Sequence, residues 1–179
     1  IMTAFSLSGL LVFFISLFFG IFVYFKKKNW TNFFWLLFSV SLATWGLGAW
    51  KIGSIPYGEK KLAFFWWHIT EIGVITMPIF FLHFVHLWLG IKKKWPLFLA
   101  YAYGVFFLTL DFLGMARGLQ ESLFFFPDLV WRFNSFYYKT GLRSIPFDIY
   151  LILWWVIFSY SFYEAWRCYK KSSGIKKLQ

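Results

Sequence analysis

The chain has 179 residues, 60% hydrophobic and 27% aromatic, and its 14% charged residues compare with about 25% in a soluble domain. Phe at 27 positions, Trp at 12 and Tyr at 10, against only 5 prolines, exclude disordered, collagenous and low-complexity classes, and mean hydropathy is +0.64. The single cysteine, Cys168, excludes a disulfide framework and any cysteine-based zinc site, which leaves an integral membrane protein with a net charge of +11 to explain.

A membrane helix needs about 20 mostly apolar residues to cross a hydrocarbon core of roughly 30 Å. The first such run covers residues 4–25; its apolar region is too long for a signal peptide and no basic segment precedes it. Lys26, Lys27 and Lys28 end it, and a second span covers 30–52. Ser54, Pro56 and Gly58 then supply ordinary turn chemistry. The third span, 63–89, holds Pro78 at its middle, which frees the carbonyl of Val74 and predicts a kink. Lys92, Lys93 and Lys94 lead into the fourth span, 96–115, and a fifth covers 147–169. Small residues four apart, Ala49 with Gly53 and Ala100 with Gly104, permit close helix approach. These runs are too long, and too little alternating, for a barrel wall. The predicted fold is an all-α polytopic membrane helix bundle, a single domain over 1–179.

Between the last two spans, residues 116–146 form a long loop too rich in Phe, Trp and Tyr to be fully solvated. It is expected to fold back onto the outer face as a short interfacial helix or a lid, anchored in the membrane by its aromatics or covering a ligand.

Charge sets the orientation. The two lysine triplets and the tail residues Arg167, Lys170, Lys171, Lys176 and Lys177 put eleven of the 18 basic residues on one side, with no acid in those loops. The other side mixes its basic residues with Glu59, Glu121 and Asp128. The positive-inside rule places the N-terminus outside and the C-terminus in the cytoplasm. The charge of +11 is thereby topogenic and suited to anionic lipid, and it does not mark a nucleic-acid binder.

Ionisable groups inside a bilayer are functional hypotheses by default. His83 and His86, three apart on the third span, share a face, but no third ligand lies near, so no metal is assigned and no cofactor is implied. His68 and Glu71 form an i, i+3 pair roughly 8–12 Å below the outer helix end, and Asp111 lies at a similar level on the fourth span. Arg117, Arg132 and Asp148 flank them. His68, Glu71 and Asp111 are therefore the candidate ligand-binding residues, the alternative being that Glu71 pairs with His68 or a basic residue inside the bundle. Glu164 and Arg167 read as a local ion pair at the inner interface. There is no Gly-x-Ser-x-Gly, phosphate-binding glycine loop, His-Glu-x-x-His or Cys-x-x-Cys, so no catalytic residue is assigned.

Phe34-Trp35-Leu36-Leu37-Phe38-Ser39 leads to Thr44-Trp45-Gly46-Leu47-Gly48 in the second span. Ala63-Phe64-Phe65-Trp66, Ile72-Gly73, Pro78 and Phe81-Leu82-His83-Phe84-Val85 follow in the third, then a basic loop and the opening of the fourth span. This order resembles the N-terminal seven-transmembrane sensor region of bacterial histidine kinases. The resemblance implies a sensory input module, not itself an enzyme, in a bacterial inner or plasma membrane. Such a module passes an extracellular or membrane signal to cytoplasmic output domains. It implies a chain cut short after five of seven spans, with the bilayer, a second copy and a small ligand or membrane signal as partners. A channel or transporter fragment and an intramembrane enzyme are the alternatives; the first needs a water-filled path, the second clustered acids or metal ligands.

Overall fold

The computed structural model describes residues 4–116, 129–132, 134–138 and 145–176, with residues 138 and 172–176 described by their backbone alone. The chain is an all-α polytopic membrane protein. The described residues form five long helices, α1 (Ala4–Lys26), α2 (Trp30–Ile52), α3 (Lys60–Leu89), α4 (Trp95–Ala116) and α5 (Ile145–Lys176), each long and apolar enough to cross a membrane. In lipid no water can satisfy backbone N–H and C=O groups, so runs of this composition close their hydrogen bonds internally as helices. The boundaries follow the expected spans, except that α3 starts one turn earlier and α5 overruns at both ends.

Local chemistry sets those boundaries. Asn29 caps α2, its side chain accepting the Asn32 N–H at 2.7 Å. α3 ends at Gly90, whose φ of 62° is the left-handed conformation that glycine adopts without strain, and Ile91 N–H returns to the His86 carbonyl at 2.9 Å. α4 opens on Trp95-Pro96, where a missing N–H costs nothing.

Successive helices run antiparallel. α1 and α2 meet at two glycines: a Cβ on Gly9 would sit 2.7 Å from the Gly46 carbonyl oxygen, and one on Gly46 equally close to that of Gly9. Ala49 packs at the same seam. Ser41 and Thr76 share a 2.8 Å hydrogen bond from α2 to α3. Ala100 is buried, and Gly104 on α4 receives Ile79 of α3. α3 is the hub, packing against α2, α4 and α5, with α5 parallel to it. α4 and α5 touch each other little, meeting around the buried cluster of Tyr103, Phe107, Phe147 and Tyr150 and at a Trp95–Tyr160 ring contact.

Where the sequence leads one to expect an interfacial helix or a lid, the described part of 116–146 is a β-hairpin. β1 (Leu129–Arg132) pairs antiparallel with β2 (Ser135–Tyr138), Val130 opposite Tyr137 and Trp131 opposite Phe136. The strands are too short to read as such from composition, but aromatic and β-branched residues favour them. Asn134, at φ 57°, supplies the left-handed turn residue. Leu129 and Phe136 pack with Ile52, Ile55, Ala63 and Phe64, so the hairpin does fold back, onto the α2–α3 turn. Arg117, Glu121, Phe124, Phe125, Phe126, Asp128 and Arg143 lie outside the described residues.

Pro78 sits inside α3, which continues as helix from Lys60 to Leu89. The Val74 carbonyl that it releases accepts instead from Trp154 Nε1 of α5 at 2.9 Å. The bond lost within the helix is replaced between helices.

Candidate functional site

One turn of α3 carries the polar centre of the bundle. His68 and Glu71 share a face by their i, i+3 spacing, yet they engage different helices. His68, 1% exposed, donates from Nδ1 to Asp111 Oδ1 at 2.6 Å, and Asp111 of α4 is fully buried. Glu71, 4% exposed, accepts through Oε2 from the Tyr150 hydroxyl of α5 at 2.8 Å. Among the described contacts the imidazole meets the carboxylate of α4, and Glu71 reaches α5. Because α3 begins at Lys60, the pair lies roughly 12–16 Å along the helix, deeper than the sequence reading places it.

A buried charge in lipid costs about 2.5–3.5 kcal/mol on insertion scales, and these contacts offset that cost. They also tie α3 to both α4 and α5 at one depth. Tyr150 extends the layer: its ring stacks on Tyr103 at 6.1 Å and 4°, and packs against Phe107 at 5.4 Å. One turn further along, Trp154 donates to Val74. Tyr103's own hydroxyl is buried with no hydrogen-bond partner among the described residues, and so is Asp111 Oδ2. Such groups hold unused hydrogen-bonding capacity in the middle of the layer.

The flanking groups are more peripheral. Asp148 is exposed in the first turn of α5, and Arg132 is exposed on the hairpin. His83 stacks on Phe34 at 3.6 Å and shares a 2.7 Å hydrogen bond with the Tyr101 hydroxyl. His86 donates from Nδ1 to the Leu82 carbonyl at 3.0 Å. The two histidines therefore have separate partners, and among the described residues no three His, Cys, Asp or Glu side chains converge. Arg167 lies 3.1 Å from Glu164, which also accepts from the Tyr160 hydroxyl at 2.7 Å.

Tyr150 and Trp154 are the residues that the sequence conceals. Each is one of many aromatics, and only the fold brings them 79 and 80 positions back to α3. The one available signal is the carbonyl freed by Pro78, which requires a donor from somewhere. A cavity of about 440 Å³ adjoins this layer, opening sideways between α4 and α5 with Tyr103 and Phe107 in its wall.

Comparison with family models, with curated proteins and with solved structures finds no match to this chain.

Proposed function

We propose that this chain is the membrane-embedded input module of a bacterial signal-transduction protein, similar in role to the sensor region of histidine kinases. Its place is the bacterial cell membrane, N-terminus outside and C-terminus in the cytoplasm, and it works as a homodimer. The chain itself performs no catalysis; output belongs to cytoplasmic domains. One observation supports this reading above the others. His68–Asp111 and Glu71–Tyr150 join α3 to α4 and to α5 at a single depth, while α4 and α5 hold each other only weakly. Two buried polar links of this kind have discrete made and broken arrangements. A stimulus that favours one arrangement by differential affinity moves α4 or α5 against α3.

The test is ATP-dependent autophosphorylation of the full-length protein in membrane vesicles, with Glu71→Gln and Asp111→Asn. Both substitutions keep size and an acceptor oxygen while removing the carboxylate. Basal phosphorylation altered severalfold at normal abundance supports the reading. Unchanged phosphorylation in both variants reduces the layer to a folding element, and a full-length protein without phosphoacceptor and ATP-binding domains overturns the kinase assignment.

A further inference from the structure

The groove between α4 and α5 adjoins the polar layer through Tyr103 and Phe107 but has its own chemistry. α3 holds both helices, but they diverge from each other, leaving a trough of about 440 Å³ walled by Leu99 and Phe106 of α4 and by Leu153, Val156 and Ile157 of α5. Its polar atoms are confined to the tips of Trp95, Tyr103 and Tyr160. Walls of this kind repel water, and an unfilled trough forfeits dispersion contacts along its whole length.

The trough has a length and an end. Its α4 wall runs from Trp95 to Phe107, about 18 Å at 1.5 Å per residue. A hydrocarbon core of roughly 30 Å makes one leaflet roughly 15 Å deep, so the trough matches one leaflet. Trp95 marks where it begins, 59% exposed, as an indole at a membrane interface is. Lys92, Lys93 and Lys94 immediately precede it and are all exposed. The nearest acid on the facing part of α5, Glu164, is buried and engaged by Arg167 and Tyr160. An apolar slot one leaflet deep therefore opens beneath a cluster of positive charge.

We propose that this groove binds one anionic phospholipid, an acyl chain lying between α4 and α5 and the phosphate held at Lys92–Lys94. Charge complementarity selects an anionic lipid over a zwitterionic one. The site does not depend on the signalling role above.

The experiment is native mass spectrometry of the purified chain in detergent, titrated with phosphatidylglycerol or with phosphatidylcholine of the same acyl chains. The wild type should retain one phosphatidylglycerol with about tenfold or greater preference. Replacing Lys92, Lys93 and Lys94 by Gln should bring that preference to near unity. Ala102→Trp fills the groove from an exposed position on α4 and should weaken both lipids; Val156→Trp does the same from α5 if the first variant misfolds. Equal retention of the two lipids by the wild type overturns the proposal. So does retention that both tryptophan variants leave unchanged, or a dimer of the chain that both of them abolish.

Discussion

Tyr150 carries a hydroxyl that joins α5 to Glu71 of α3 by a 2.8 Å hydrogen bond. Tyr150→Phe keeps the ring stack with Tyr103 and deletes that bond. Losing a hydrogen bond to this buried carboxylate should destabilise the bundle by about 1–3 kcal/mol, read from reversible unfolding in mixed micelles. A change indistinguishable from zero would show that Glu71 draws little from α5. His68 and Asp111 allow a sharper measurement. A double-mutant cycle of His68→Ala and Asp111→Ala should give a coupling of about 0.5–3 kcal/mol, because the two buried side chains are joined directly by a 2.6 Å hydrogen bond. Additive losses would mean that the 2.6 Å contact contributes no specific energy. At this scale the sequence was legible in part. His68, Glu71 and Asp111 stand out because an ionisable group in lipid is expensive wherever it sits. Their partners do not stand out, since an i, i+3 spacing fixes which face two residues share and not which neighbour each rotamer reaches.

At the scale of helices, close approach and broken hydrogen bonds decide the packing. A Cβ at Gly46 meets backbone atoms of α1 on both the Gly9 and Phe13 sides, and backbone cannot give way as a flexible side chain can. Gly46→Ala should therefore force α1 and α2 apart and cost about 1–3 kcal/mol, visible as a lower unfolding midpoint. An unaltered midpoint would imply that the two helices can separate freely. Pro78 and Trp154 form a second cycle. In the wild type Trp154 is an outside donor to the Val74 carbonyl, so Trp154→Phe should cost about 1 kcal/mol. In Pro78→Ala the restored N–H at position 78 competes for that carbonyl, and the same substitution should cost less. Equal costs in both backgrounds would disconnect the indole from the proline. The five spans were legible from length and hydropathy, as was the carbonyl freed by Pro78. The hairpin was not, because two four-residue strands rich in aromatics carry no periodicity that separates them from an amphipathic turn of helix.

For the molecule as a whole, alternation of the five helices places both lysine triplets and the basic end of α5 together, with the hairpin at the opposite end. In a Cys168→Ser background, a cysteine at Tyr57 should react with a membrane-impermeant maleimide added to intact cells, and one at Lys93 should react only after lysis. Both positions are exposed on turns between helices. Reaction of the Lys93 probe in intact cells would invert the orientation that the charge pattern implies. Helix number and alternation could be read from the chain because hydrocarbon thickness fixes how long a span must be. The hub position of α3 could not, since no rule of length or charge tells which of five apolar rods is central.

The 32 residues of α5 make a rod about 48 Å long at 1.5 Å per residue, well beyond the hydrocarbon thickness. Between Phe147 and Ser173 it has neither glycine nor proline, so nothing along its shaft is set to bend. Tyr150 grips it near one end and the lysines project from the other. A stiff shaft gripped in this way cannot absorb a twist locally: a rotation imposed at the Glu71 clasp must reappear, as torque, some 30 Å away at Lys170 and Lys171.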